Sequence, residues 1–219
     1  MIKLIFFDFD GVIVESLDIK TKAFAELFES EGPDAVKKVT EYHLNNSGVS
    51  RYDKIRFIYK NMLGRPLGDD EFRALCEKFS KLVKNAVIAA PAVKGAMGFL
   101  EKYSSFYKCF LVSATPEKEI KDIIDKRGMA RFFLEVYGSP AKKTDLVKKV
   151  LLSARIDPDE ALYVGDALSD YEAARENGVN FVARMIDNEL IFKDTDCPKI
   201  ADMRALKKVI ENYDHRFIA

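Results

Sequence analysis

Histidine and cysteine are scarce in this chain of 219 residues, long apolar runs are missing, and neither sign of charge is in excess. Two histidines, His43 and His215, are too few for a His-rich zinc centre. The three cysteines, Cys76, Cys109 and Cys197, are odd in number, far apart and without a CxxC pair. They offer no disulfide framework and read as thiols in a reducing cytosol. The N-terminal apolar run, which ends where Asp8 follows Phe7, is far too short to span a bilayer or act as a secretory core, and no later stretch reaches spanning length. A soluble cytoplasmic protein with no membrane partner is expected. Lys+Arg and Asp+Glu both total 35, a formal net charge of zero, which argues against nucleic acid as a general partner. A small anionic substrate needs only local charge and stays compatible. Internal repeats and low-complexity segments are also absent.

The chain has an ordered succession of patterns. Residues 3–8 read as a buried strand, a short apolar run stopped by a polar loop. From about Ser16 to Ala90 the apolar residues recur at helical spacing (Phe24, Leu27 and Phe28, then Ile55, Ile58, Tyr59 and Met62). Breaks at Gly32-Pro33, Asn45-Gly48 and Gly64-Pro66 divide that segment into several helices. Beyond Pro91 strands and helices alternate. Lys108–Ser113, Phe133–Tyr137, Ala161–Gly165 and Asn180–Ala183 read as strands, with helices over Pro116–Arg127, Thr144–Ala154, Ser169–Asn177 and within Ile200–Tyr213. Such alternation predicts an α/β fold, a Rossmann-like parallel sheet covered by helices on both faces. Residues 1–15 and 86–219 would form this core, and residues 16–85 an all-helical cap inserted after the first strand, with linkers near 14–17 and 85–92.

Parallel α/β sheets bind ligands beyond the carboxyl ends of their strands. Those ends carry Asp8-Phe9-Asp10-Gly11, Ser113-Ala114-Thr115 and Gly165-Asp166 with Asp170 four residues on, while Gly138-Ser139-Pro140-Ala141-Lys142-Lys143 opens a helix. Carboxylates gathered on one rim repel unless a cation sits among them, and hard oxygen donors with little histidine suit Mg²⁺. Such a cation would shield an attacking carboxylate from a phosphate dianion, with Ser113 and Lys143 on the other phosphate oxygens.

On these residues the chain resembles the haloacid dehalogenase-like hydrolase superfamily, in its phosphoglycolate phosphatase and β-phosphoglucomutase branch. DFDGVIVES from Asp8 to Ser16 resembles the first motif, Ser113 the second, Lys143 in G-S-P-x-x-K the third, and GDALSD from Gly165 to Asp170 the fourth. The resemblance spans nearly the whole chain, helical cap included. It implies Asp8 as nucleophile and Asp10 as general acid and base, with Mg²⁺ held by Asp8, the backbone carbonyl of Asp10, and Asp166. It further implies Ser113, Ala114 and Lys143 on the phosphate, and Asp170 orienting metal waters or Lys143. Gly48-Val49-Ser50-Arg51 resembles the cap segment in which a mutase arginine grips substrate phosphate. Lys20 stands where the mutases have a histidine, which favours hydrolysis over phosphotransfer.

Plainer roles compete with each assignment. Asp166 and Asp170 suit helix caps, Ser113 suits a helix entry, and Lys142 competes with Lys143. Arg51 suits a cap surface, and Lys20 and Lys54 suit solvated helix faces that also border the cleft. The expectation is a phosphatase, monomer or homodimer, acting on a small phosphorylated metabolite. Its rivals are a phosphoglucomutase-like phosphotransferase, a dehalogenase (disfavoured by Asp10 and Asp166) and a non-catalytic binding protein.

Overall fold

In this computed structural model residues 1–186 and 191–216 are described. Strand β1 (Leu4–Phe7) is followed by four helices, α1 (Leu17–Leu27), α2 (Pro33–Asn45), α3 (Arg51–Phe57) and α4 (Asp69–Ala89). Then come α5 (Ala96–Tyr103), β2 (Lys108–Pro116), α6 (Glu117–Lys126), β3 (Glu135–Ser139), α7 (Lys143–Ala154), β4 (Ala161–Gly165), α8 (Leu168–Glu176), β5 (Asn180–Arg184), β6 (Lys199–Ile200) and α9 (Leu206–Arg216). The strands form one six-stranded sheet in the order β3-β2-β1-β4-β5-β6, and each neighbouring pair is parallel.

Period-two alternation sorts the strand side chains between two cores. Ile5, Phe7, Leu111 and Val164 face one layer, filled by α5, α6 and α9 through Phe99, Ile120 and Leu206. Leu4, Phe6, Val112 and Tyr163 face the other, filled by α7 and α8 through Val147, Val150 and Ala173. Helices thus cover both faces, as the alternating pattern predicts. Among the described residues no helix is long and apolar enough to cross a membrane, and Cys76, Cys109 and Cys197 are free thiols.

The segment between β1 and α5 is helical among its described elements. Phe24, Leu27, Phe28, Ile55, Ile58 and Tyr59 are buried as their spacing predicts, joined by Val39, Phe79 and Val83. α4 runs to Ala89, so most of the linker expected over 85–92 is helix. Val87 keeps its apolar face buried, and Pro91 ends the helix by forcing Ala90 into an extended conformation. The outgoing and returning chains lie side by side: Val14 bridges Ala92 antiparallel, the Glu15 amide donates to the Pro91 carbonyl at 3.0 Å, and the Val93 amide donates to that of Ile13 at 2.9 Å.

Two other boundaries move for local reasons, and one strand was not expected. β2 continues past Ser113 to Pro116, because the residue before a proline is kept extended and Pro116 still pairs with Ser139 after a register shift. β3 starts at Glu135 rather than Phe133, since the Phe133 amide is taken by the Ala130 carbonyl in a turn. β6 has two residues, too few to show a period.

Candidate active site

The strand order reverses at β1, which lies between β2 and β4. A crevice opens at such a switch point, beyond the strand ends. Asp8 leaves β1 there, its amide donating to the Val164 carbonyl of β4 at 3.0 Å. The next turn is tight: the Phe9 carbonyl accepts from the amides of Val12, Ile13 and Val14. Gly11 has φ +77°, and a Cβ there would strike the Asp166 carboxylate. Only glycine lets this turn approach β4 so closely.

Asp8, Asp166 and Asp170 are buried and offer carboxylate oxygens that lie within 4.8 Å of one another. Lys143, at the start of α7, has its ammonium 3.2 Å from Asp8 Oδ1 and 2.6 Å from Asp170 Oδ1. Asp170 is fully engaged: Oδ1 also accepts from the Tyr163 hydroxyl at 2.8 Å, and Oδ2 accepts from the Ala167 amide at 3.2 Å. Asp8 Oδ1 is buried and accepts no hydrogen bond. Asp10 is held differently. Its Oδ1 accepts from Ser16 at 2.6 Å, and its Oδ2 pairs with Lys20 and accepts from Thr115 Oγ1 at 3.3 Å.

These surroundings drive the acids apart electrostatically. Burial raises the pKa of Asp8, with the charges of Asp170 and Asp10 adding to it against the pull of Lys143. Burial, then Asp8 and Asp170, push Asp166 well above the carboxylate range. Burial also works to raise Asp10, but Lys20 and Ser16 outweigh it and hold that carboxyl below its ordinary value. A divalent cation fits this set of hard oxygen donors: it would meet the Asp8 oxygen that accepts no hydrogen bond and relieve the mutual repulsion of Asp8 and Asp166. Asp170, with both oxygens occupied, fits the task of fixing Lys143.

The model of the haloacid dehalogenase-like hydrolases matches residues 5–184. The chain belongs to that family. It is 30% identical over 193 residues to a phosphoglycolate phosphatase of Vibrio cholerae, covering 81% of each chain. It is 25% identical over 189 residues to phosphoglycolate phosphatase 1 of Pseudomonas aeruginosa, covering 83% of this chain and 68% of that one. Its fold superposes on a β-phosphoglucomutase of Clostridium difficile with a TM-score of 0.81 at 18% identity, over the full length of both. A predicted phosphoglycolate phosphatase from Haemophilus somnus gives 0.76 at 19%, over 95% and 98% of the two chains.

Within this hydrolase the structure brings Asp8, Asp10, Ala114 and Asp166 onto one cavity, with Lys143 and Asp170 directly behind. Lys143, not Lys142, points inward: Lys143 is buried and Lys142 exposed. Ser113 is buried, and its Oγ accepts the Thr115 amide at 3.1 Å. Lys20 is not a solvated helix lysine; it bridges Asp10 and Thr115, the latter at 2.9 Å. Lys54 is buried as well, on the cavity wall. Arg51 reaches the cavity but is not a free phosphate grip, since its guanidinium is bound to Glu119 and Ser80. Gly48, earlier in the same segment, packs so tightly on Ala167 and Ser169 that no Cβ fits.

Sequence reasoning missed Thr115, Tyr163, His43, Ser80 and Glu119. Thr115 carried a signal, as the third residue of a polar strand end before proline. Tyr163 sits in an apolar strand, and Glu119 in a helix turn rich in charge, so neither stood out.

Proposed function

We propose that this phosphatase hydrolyses a small phosphate monoester through an aspartyl-phosphate on Asp8, with Mg²⁺ at the Asp8–Asp166 cluster. The carrying observation is the buried, hydrogen-bond-free oxygen of Asp8 beside Lys143 and within 4.8 Å of two further carboxylates. Asp8, the carbonyl of Asp10 and Asp166 would hold the cation. Bound there, Mg²⁺ neutralises the charge that accumulates as a carboxylate meets a phosphate dianion.

The chain's own groups carry the rest. Asp8 attacks phosphorus; the new O–P bond forms as the ester P–O bond breaks. Asp10 protonates the departing alkoxide. Lys20 holds Asp10 ionised in the resting site, so the proton passes from the Lys20 ammonium through Asp10 to the alkoxide. Asp10 then takes a proton from water and returns it to Lys20, while the hydroxide attacks phosphorus and the Asp8–O–P bond breaks. Inorganic phosphate leaves and Asp8 is regenerated. Lys143 and the Ser113–Ala114 strand end hold phosphoryl oxygens, and Asp170 keeps Lys143 aimed.

The sheet and the helices packed on it act as the catalytic core, and the helical segment from α1 to the end of α4 at Ala89 acts as the cap. The cavity between the carboxylates and Phe24, Arg51 and Lys54 measures about 30 Å³, room for about two waters. Substrate therefore enters by moving the cap, and its return excludes bulk water. Phosphate release from a broad panel of metabolite esters, with Mg²⁺ and with EDTA, tests the proposal. Release that needs Mg²⁺ and vanishes in Asp8→Asn supports it; undiminished release in EDTA rejects it. Isotope transfer between two positions of a sugar, without free phosphate, would favour a phosphoglucomutase-like reaction instead.

A further inference from the structure

Strand β4 carries one polar side chain in an otherwise apolar run: Tyr163, 0% exposed. A buried phenol is costly unless its hydroxyl finds a partner, and a phenylalanine would fill the same space without that demand. Tyr163 stands beside Phe6 of β1 in the sheet register, and the two rings stack with centres 5.8 Å apart. Phe181 of β5 packs on the opposite flank at 6.3 Å. The ring is thereby fixed, and its hydroxyl reaches across β1 to within 3.4 Å of the Val112 carbonyl of β2. Asp8 follows Phe6 by two residues, so strand alternation puts its side chain on this same face of the sheet.

The hydroxyl donates to Asp170 Oδ1 at 2.8 Å. That same oxygen accepts from Lys143 at 2.6 Å, and the Lys143 ammonium lies 3.2 Å from Asp8 Oδ1. Tyr163, Asp170, Lys143 and Asp8 thus form one chain of contacts, every member buried. Burial first, then the charges of Asp170 and Asp8, hold the phenol pKa well above its ordinary value, so the hydroxyl stays a donor. The arrangement meets a specific need. When a phosphoryl group reaches Asp8, Lys143 must turn part of its charge to the new oxygens. Asp170 and the phosphoryl group then compete for one ammonium. A second donor on Asp170 Oδ1 holds that oxygen in place and draws on the same lone pairs, so Asp170 neither follows the ammonium nor monopolises it. The Ala167 amide cannot do this, since it binds the other oxygen, Oδ2.

We infer that Tyr163 is a positioning residue for the phosphatase reaction: its hydroxyl, acting through Asp170, sets how the Lys143 ammonium is divided between Asp170 and the phosphoryl group on Asp8. This rests on the phosphatase reading above. Tyr163 touches no reacting atom, so its effect falls on the step that Lys143 serves and not on the binding of Mg²⁺.

Tyr163→Phe keeps the ring and removes the hydroxyl. With p-nitrophenyl phosphate and saturating Mg²⁺, kcat should fall by at least about 10-fold in Tyr163→Phe, the scale of losing a partner behind a site group. The Mg²⁺ concentration for half-maximal activity should change by less than about 3-fold, a reading that general loosening of the site would not spare. A smaller loss of kcat, a larger change in Mg²⁺ dependence, or a Tyr163→Phe protein that does not fold overturns the assignment. Asp170→Ala supplies the background that separates positioning from packing. There Tyr163→Phe should cost no more than about 3-fold, because the group it acts through is gone. A full loss that persists in that background overturns the assignment as well. Should Asp170→Ala fail to fold, the paired kcat and Mg²⁺ readings decide alone. Should the wild type turn over no ester, the phosphatase reading fails, and calorimetric titration of the Mg²⁺-loaded protein with orthovanadate decides this one. Affinity lower by at least about 10-fold in Tyr163→Phe then supports it, and a smaller change or no binding rejects it.

Discussion

Arg51 on α3 and Glu119 on α6 form a buried two-pronged ion pair: Nη1 and Nη2 of the arginine donate to the two carboxylate oxygens at 3.0 and 2.5 Å. Ser80 on α4 closes the triangle, donating to Glu119 at 2.5 Å, and the guanidinium lies over the Phe79 ring at 4.6 Å. The pair clasps the helical insertion to the helix that follows β2. Removing one partner strands the other charge in a dry site, so Glu119→Ala should destabilise the protein by about 3–5 kcal/mol. Chemical denaturation reads this directly. Glu119→Gln, which keeps one acceptor, should cost less. Equal stability of wild type and Glu119→Ala would show that the clasp is not formed.

Lys20 supplies a second test, through the leaving group. An alkoxide needs a proton as it departs, whereas p-nitrophenolate does not. Lys20→Met should lower kcat for alkyl phosphates by about 100-fold or more and for p-nitrophenyl phosphate by less than about 10-fold. Equal losses on both substrates would make Lys20 a binding group only.

Asp170→Asn should leave the fold intact and lower kcat by about 10–100-fold, because Lys143 loses its charged anchor behind Asp8. Steady-state kinetics with a near-ultraviolet circular dichroism spectrum as control separates this from unfolding. Wild-type turnover in Asp170→Asn would remove Asp170 from the site.

Lys54 carries a pH signature of definite sign. Its surroundings are His43 from α2, Lys20 from α1, and Asp10, Asp166 and Lys143 from the core. Burial first, then Lys20, bring its pKa down from 10.5 to about 7. The unfolded chain therefore binds this proton more tightly than the folded one, and the lysine lowers stability progressively as pH falls from about 10 towards 7. Lys54→Met should raise Tm at pH 6 by roughly 4–8 °C, equivalent to about 2 kcal/mol, and by less at pH 9. A lowered Tm in Lys54→Met at pH 6 would contradict this.

The parts of the fold that were legible in the sequence are those written in short-range pattern. The apolar run before Asp8, the Phe24–Phe28 spacing and the strand-helix alternation after Pro91 each announce an element, because burial imposes a period of two or of about 3.6. Asp8, Asp10 and Asp166 were legible because strand ends in a parallel sheet converge on one rim, whereas Lys143 was set apart from Lys142 only by the resemblance of its spacing to a family motif. Partnerships were not. Nothing near Arg51 reveals that Glu119, 68 residues away, occupies its guanidinium. Nothing near Lys54 tells a buried ammonium from a solvated one, since a helical lysine has the same local signature in both settings. Such facts are created by packing between segments, which a linear pattern does not encode.

Phosphorylation of Asp8 during turnover is the step on which the proposed reaction rests. Acid quenching of the enzyme with Mg²⁺ and an excess of a hydrolysed ester, followed by borohydride reduction and peptide mass spectrometry, tests it most directly, because an acyl phosphate is reduced to an alcohol. Homoserine is expected at position 8 in the wild type and not in a control without substrate. Sustained phosphate release with position 8 unreduced, or with the reduced residue elsewhere, would contradict it.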